Sequence, residues 1–373
     1  MNAWPGSHRE NNFDLIRLFA ALQVALVHGA HFFKLSLGPL FFIEWFPGVP
    51  IFFCISGYLI AQSVERNLDD LKCYARSRFL RIYPALVLCV TVGGIIMACL
   101  GAFKAVSPSR VIFWYFTNLV AGGASINPSF LRHFGIGVWN GSLWTISVEL
   151  SFYVLLPVLY LWARRTQFSL NVVLSILLVA SFGVFIFADG LRWGDTKSVS
   201  IPAKVVWFSL AGNLWMFLFG TLAYRLRSRT LTLVEGCFLW WLAALIVVQT
   251  VRMLLPGPLV GSTTGLTIML FISRAILAGL TLAAAFSARR VGGRLLRGND
   301  ISYGLYLWHA PFYNFLLCLG LSSAVWFPIG LSSAILVATI SWVFLERKAL
   351  RFKAKGPVGE RKLPAQSFHT PSS

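Results

Sequence analysis

The stretch Asp14-Leu-Ile-Arg17-Leu-Phe-Ala-Ala-Leu-Gln-Val-Ala-Leu-Val-His28 opens a long apolar run and places two basic side chains inside it. Ionisable groups at bilayer depth are costly, so two on one segment point to a working site. The eleven-residue step from Arg17 to His28 turns a helix by roughly 1100°, three turns plus about 20°, so both side chains leave nearly the same face. They lie about 16 Å apart along the axis, one near a membrane surface and one nearer the interior.

Similar apolar runs recur along almost the whole chain. Runs of about 18 or more residues can cross roughly 30 Å of hydrocarbon. Spans are expected at 14–33, 47–63, 82–101, 142–162, 168–187, 205–225, 231–254, 265–286, 301–320 and 326–346. The fold class is therefore an all-α polytopic membrane protein, a bundle of about ten transmembrane helices in the lipid bilayer. The segment Val111 to Ala124 is too short to span and is expected to be re-entrant or to lie at the interface. With 57% hydrophobic and 12% charged residues and a mean hydropathy of +0.73, an ordinary soluble domain is excluded.

The net charge of +19 would suit nucleic acid, but it follows the loops. Basic residues cluster at Arg66 to Arg81, Arg164-Arg165, Arg225 to Arg229, Arg289 to Arg297 and Arg347 to Lys362. Ten spans with both termini cytoplasmic put every cluster on the side that the positive-inside rule requires, and no nucleic-acid partner is expected. The first apolar run is too long for a cleavable signal peptide and should stay in the mature protein. Cys54, Cys89, Cys99, Cys237 and Cys318 fall in the spans and Cys73 in a loop, with neither a disulfide framework nor a metal-ligand spacing. Residues 1–350 read as one membrane domain and 351–373 as a basic, disordered cytoplasmic tail.

The chemistry must then lie among charges buried in the bundle. Glu149, in Ser142-Leu-Trp-Thr-Ile-Ser-Val-Glu149, sits on an oppositely directed span, about 10 Å from its outer end, and His28 about 8 Å from the outer end of its own. The two share a depth. An imidazole can take a proton from a hydroxyl, and a carboxylate on its other nitrogen would fix the tautomer and stabilise the imidazolium. The plainer reading is a hydrogen bond that fixes helix register. His31, one turn further on, is an alternative base.

Arg78 and Arg81, in Arg76-Ser-Arg78-Phe-Leu-Arg81-Ile-Tyr-Pro84, stand one turn apart and can form a fork suited to phosphates. Lipid-headgroup anchoring is the plain alternative. Together with Arg17 they suit a ligand with phosphates at the cytoplasmic surface and a reactive end roughly 16 Å deeper. Coenzyme A has that shape, and no metal is expected. Substrate-lining places go to Ser56 and Tyr58, to the aromatic face of Trp144, and to Tyr306 and His309 in Tyr306-Leu-Trp-His-Ala-Pro311. His309 equally suits a structural bond to a carbonyl freed by Pro311. Glu346, beside Arg347 and Lys348, reads plainly as an interfacial ion pair, with a part in the donor site as the sharper alternative.

These pieces carry a family resemblance. Phe13-Asp-Leu-Ile-Arg17 with His28, Gly48-Val-Pro-Ile-Phe-Phe-Cys-Ile-Ser-Gly-Tyr-Leu-Ile, Arg78-Phe-Leu-Arg81-Ile-Tyr-Pro, Ser142 to Glu149 and Ile301-Ser-Tyr-Gly-Leu-Tyr-Leu-Trp-His-Ala-Pro311 run in one order from about residue 11 to about residue 350. The set resembles the acyltransferase-3 family, bacterial membrane O-acyltransferases of surface polysaccharides and related carbohydrates. The resemblance implies a ten-helix core in the bacterial cytoplasmic membrane and acyl-CoA as donor. It also implies Arg17 with His28 as the family's arginine-to-histidine motif, Arg78 and Arg81 as its paired arginines, and Glu149 as its acidic residue. Some members carry a hydrolase-like domain after the last span, and this chain ends soon after Glu346. Direct acylation of a carbohydrate, transfer to a separate extracytoplasmic partner and action on a lipid-linked glycan all remain open. The rival from another class is a transporter or flippase for a glycan or anionic solute, in which Arg17 and His28 line the passage.

Overall fold

The computed structural model describes residues 11–121, 128–166, 168–193, 205–254, 263–288 and 291–352, and among them every regular element is helical. In chain order these are α1 (Phe13–Phe32), α2 (Gly48–Arg66), α3 (Leu71–Cys99), α4 (Pro108–Ala121), α5 (Trp144–Arg165), α6 (Leu170–Trp193) and α7 (Leu210–Arg225). They continue with α8 (Arg227–Val234), α9 (Phe238–Leu254), α10 (Thr263–Phe286), α11 (Val291–Leu296), α12 (Ser302–Cys318), α13 (Trp326–Ser341) and α14 (Arg347–Arg351). The expected tail, 351–373, lies almost wholly outside the described residues.

Among the described residues, eight helices are long and apolar enough to cross a membrane, or nine if α8 and α9, bent by 79°, form one broken span. The expected span at 301–320 is α12, with only 17 residues. At 1.5 Å per residue it is about 25 Å long, the short end of what a bilayer admits. It is also the inner pillar of the bundle, since twelve of its residues are buried. The short segment after residue 107 is α4, a 14-residue helix lying against α3 and α5, with Ile112, Phe113, Phe116 and Val120 exposed.

Two close approaches set the packing. A Cβ on Gly57 would fall 1.9 Å from the Phe217 carbonyl oxygen, and one on Gly220 would fall 1.9 Å from that of Cys54. The backbones of α2 and α7 therefore touch, as small residues permit in a membrane. At the start of α2, the Gln23 side chain accepts from Gly48 N–H at 2.7 Å and donates to the Ile43 carbonyl at 3.2 Å. This buried amide ties α1 to the turn that feeds α2. Helix α1 packs on α2 and α12, whereas α5 packs on the other side of α2.

Helix α3 begins eleven residues before the expected span, because the Asp70 carboxylate caps it by accepting from Cys73 N–H at 3.0 Å. Arg76, Arg78 and Arg81 are thus helical residues and not part of a loop. Prolines inside helices free carbonyls that other side chains fill. Pro157 leaves Tyr153 without its helical donor, and the Tyr74 hydroxyl takes that place at 3.0 Å. Pro311 frees the Leu307 carbonyl, which the Asn140 amide fills at 2.9 Å.

Candidate functional site

A cavity of about 470 Å³ is lined by Val49, Phe52, Phe53, Ser56, Leu59, Ile60, Ser63 and Arg66, which recur along one face of α2. From Val49 to Arg66 is about 25 Å of helix, close to the full hydrocarbon thickness. The cavity is apolar and aromatic at the Val49 end and arginine-rich toward Arg66. Arg17 from α1, Arg78 and Arg81 from α3, Glu149 and Tyr153 from α5, and Tyr303 and Tyr306 from α12 are also part of the wall.

All three arginines expected to bind phosphate line this space, but they do not form one free fork. Arg81 is committed to Asp300, Nη2 to Oδ2 at 2.6 Å, and Arg17 lies 4.0 Å from the same oxygen and 3.3 Å from Asp14. Asp300 stands just before α12 and accepts from both the backbone N–H and the hydroxyl of Ser302. Burial pushes its carboxyl upward, yet the Arg81 and Arg17 guanidinium groups outweigh this and hold it below the usual carboxylate range. Arg78 has no carboxylate within ion-pair distance among the described residues. It donates to Ser77 and Ser63 at 3.2 and 3.3 Å and lies over the rings of Tyr74 and Tyr153.

Glu149 faces the cavity and is held there by two hydroxyls, Ser56 Oγ at 2.7 Å and Tyr153 OH at 2.9 Å, both donating to Oε1. The hydrogen-bond partner of His28 is a different residue. Its Nδ1 lies 3.0 Å from Nε2 of His309, whose ring is fully buried. The expected pairing of His28 with Glu149 is corrected on this point, because α2 stands between the two helices that carry them. His309 in turn has its Nδ1 3.2 Å from the Leu305 carbonyl and its Nε2 3.2 Å from Ser142 Oγ. The carbonyl freed by Pro311 is therefore not the one that His309 meets.

Neither histidine lines the cavity; of the two, His309 is the one that meets the wall residue Tyr306. Its ring faces the cavity 5.9 Å from that of His309, and its hydroxyl donates to the Ser142 carbonyl at 3.0 Å and lies 2.7 Å from Thr145 Oγ1. Of the other expected lining residues, Ser56 is on the wall as Glu149's donor. Tyr58 is packed in the core among Phe13, Tyr224 and Phe286. Trp144 lies edge-on to Phe53 and Phe208 and presents no open stacking face to the cavity. His31 is exposed. Glu346 is buried and accepts from the Ser341 hydroxyl at 2.9 Å, with no ion pair among the described residues, contrary to the interfacial pair expected. No His, Cys, Asp or Glu group suited to a metal ion occurs among the described residues.

Two participants were missed in the sequence. Asp300 is a lone acid in a loop counted only for its basic residues, and its signal was an acid two places before a serine at a span start. Ser142 opened a motif quoted for the glutamate at its other end.

Residues 10–346 match the model of the acyltransferase-3 family, described as an acyltransferase domain. The chain is 30% identical over 372 residues to nodulation protein 10 of Rhizobium leguminosarum bv. viciae, covering 94% of this chain and 96% of that protein. It is 28% identical over 359 residues to an O-acetyl transferase of Shigella phage Sf6, covering 92% and 97%. It is 25% identical over 295 residues to the peptidoglycan O-acetyltransferase OatA of Listeria monocytogenes, covering 71% of this chain and 44% of that protein. No solved structure matches the chain.

Proposed function

Because the chain belongs to the acyltransferase-3 family, we propose that this multi-pass membrane acyltransferase moves an acetyl group from acetyl-CoA to a hydroxyl of a cell-surface or lipid-linked carbohydrate. The membrane is the bacterial cytoplasmic membrane, with both termini on the cytoplasmic side, where the basic loops belong. The observation that carries the reading is the cavity along α2, arginine-rich at one end and aromatic at the other. An extended ligand with anionic phosphates and an uncharged acyl arm matches both its length and its polarity. The relatives named O-acetyl transferase and peptidoglycan O-acetyltransferase support acetyl as the group and a glycan as the acceptor.

In this mechanism Arg78 holds donor phosphate directly, with Arg17, Arg66 and Arg81 supplying the surrounding positive potential. The pantetheine arm runs along α2 past Ser56 and Glu149 toward Phe52 and Tyr306. His28 takes the proton of the acceptor hydroxyl as its oxygen attacks the thioester carbon. The C–S bond breaks, the CoA thiolate leaves, and the proton held by His28 returns to that sulfur. The products are the O-acetyl ester and CoA-SH. Glu149 acts on the donor side, as a carboxylate in the cavity wall.

The test is CoA release and acceptor labelling from radiolabelled acetyl-CoA, in membranes carrying the wild type, His28→Ala or Arg78→Ala at matched expression. Loss of turnover in His28→Ala and a raised donor KM in Arg78→Ala are expected. Unchanged turnover in His28→Ala would overturn the mechanism, and wild-type membranes that release no CoA with a competent acceptor extract would return the transporter reading.

A further inference from the structure

Resting on the reading of His28 as the base, we infer that His309 is the positioning residue that selects its catalytic tautomer, through a chain of hydrogen bonds that starts at a backbone carbonyl. The Leu305 carbonyl can only accept, so the His309 nitrogen 3.2 Å away, Nδ1, carries the proton. In a neutral imidazole the other nitrogen is then bare. That nitrogen, Nε2, faces His28 Nδ1 at 3.0 Å, and two lone pairs at this distance would repel. His28 therefore carries its proton on Nδ1 and donates it to His309. The remaining nitrogen of His28, Nε2, is left with the lone pair that a general base needs.

The Ser142 hydroxyl, 3.2 Å from the same nitrogen of His309, shares that nitrogen's single lone pair with the His28 N–H. Ser142 is itself fixed, since its N–H donates to Asn140 Oδ1 at 3.1 Å while the Asn140 amide holds the Leu307 carbonyl of α12. The His309 ring is thus clamped on both edges and has no exposed surface. When His28 takes a proton on Nε2, its Nδ1–H stays on His309, and the imidazolium keeps a lone pair opposite it. This is the role that a carboxylate fills in a serine-hydrolase triad, performed here by a neutral ring. A carboxylate at this place would hold the His28 proton more tightly. A neutral acceptor leaves the base neutral at rest, ready for the next hydroxyl.

Two variants separate this role from space filling. His309→Phe keeps a ring of similar size and removes both nitrogens, and His309→Gln keeps an acceptor at nearly the same reach. Histidine-directed ¹⁵N magnetic resonance on the full chain in detergent, with the His28 signals identified by comparison with His28→Ala, reads the tautomer without any substrate. The wild type is expected to show His28 protonated on Nδ1 and bare on Nε2, and His309→Phe to lose that preference. In steady-state acetyl-CoA turnover, His309→Phe is expected to lower kcat about ten- to a hundredfold with donor KM unchanged, and His309→Gln to recover much of it. A wild-type His28 protonated on Nε2 overturns the inference, as do equal losses in the two variants or an effect confined to donor KM. Failure of the wild type to turn over acetyl-CoA would instead sink the proposed reaction, while the tautomer measurement would still decide this chain of bonds.

Discussion

Arg81 and Asp300 stand 219 residues apart in the chain, and their side chains meet at 2.6 Å beside the cavity that Arg81 lines. Arg17 lies 4.0 Å from the same carboxylate oxygen, so one buried acid serves two half-buried arginines. Removing one partner of such a buried group leaves charge uncompensated and costs roughly 3–5 kcal/mol. Asp300→Asn is expected to lower the melting temperature in detergent by several degrees before any effect on the donor is considered. A variant as stable as the wild type would show that the arginines find other counter-charges.

The same pair sets an acid limit. The Asp300 carboxyl is depressed in the folded protein, so its stabilising contribution is complete above the unfolded value of about 3.9 and is lost as pH falls below it. Melting profiles of the wild type should therefore fall away on the acid side of pH 4, and the Asp300→Asn profile should be flatter there. Parallel profiles would remove Asp300 as the cause.

Arg78 is expected to behave differently from Arg81. Of Arg17, Arg78 and Arg81, it is the one with no carboxylate at ion-pair distance among the described residues. A charge-assisted hydrogen bond to phosphate contributes about 1.5–3 kcal/mol, so Arg78→Ala should raise the acetyl-CoA KM roughly tenfold to a hundredfold with a smaller change in kcat. Arg81→Ala should act first on stability, because it strands Asp300. Donor titrations beside melting curves for the two variants read this split directly, and identical behaviour would argue for a single phosphate fork.

Helix existence and the arginine–histidine face of α1 were legible in the sequence because both depend on local periodicity. The partner of His28 was not. Equal depth places two residues on one plane but says nothing about which helices are neighbours on that plane, and α1 packs on α12 and α2 while α5 lies beyond α2. Glu149 accordingly went to Ser56 of α2, and His28 went to His309 of α12. The arginine fork failed for a related reason. A one-turn spacing puts Arg78 and Arg81 on one face, but only the fold brings Asp300 to claim one of them.

The contact of α2 with α7 gives a sharper test of packing. Gly57→Ala sets a methyl group 1.9 Å from the Phe217 carbonyl oxygen, a distance that only separation of the two helices can relieve. Backbone cannot yield as a side chain can, so loss of monodisperse protein is expected. Gly183→Ala in α6 is the control, since a Cβ there meets nothing within 4 Å and alanine is the better helix former. Equal yields of the two variants would mean that α2 and α7 can part freely.

The proline-freed carbonyl in α5 allows a cycle whose outcome depends on one hydrogen bond. Tyr74 OH fills the Tyr153 carbonyl that Pro157 cannot, and Tyr153 in turn donates its own hydroxyl to Glu149. Tyr74→Phe leaves that carbonyl buried and unmet, at a cost of about 1–3 kcal/mol. Pro157→Ala restores a backbone N–H four residues after Tyr153 and supplies the missing donor from within the helix. In the Pro157→Ala background, Tyr74→Phe should therefore cost markedly less than it does alone, a coupling that melting curves of the four proteins would measure. Strict additivity would mean that the Tyr74 hydroxyl matters for a reason other than the carbonyl it meets.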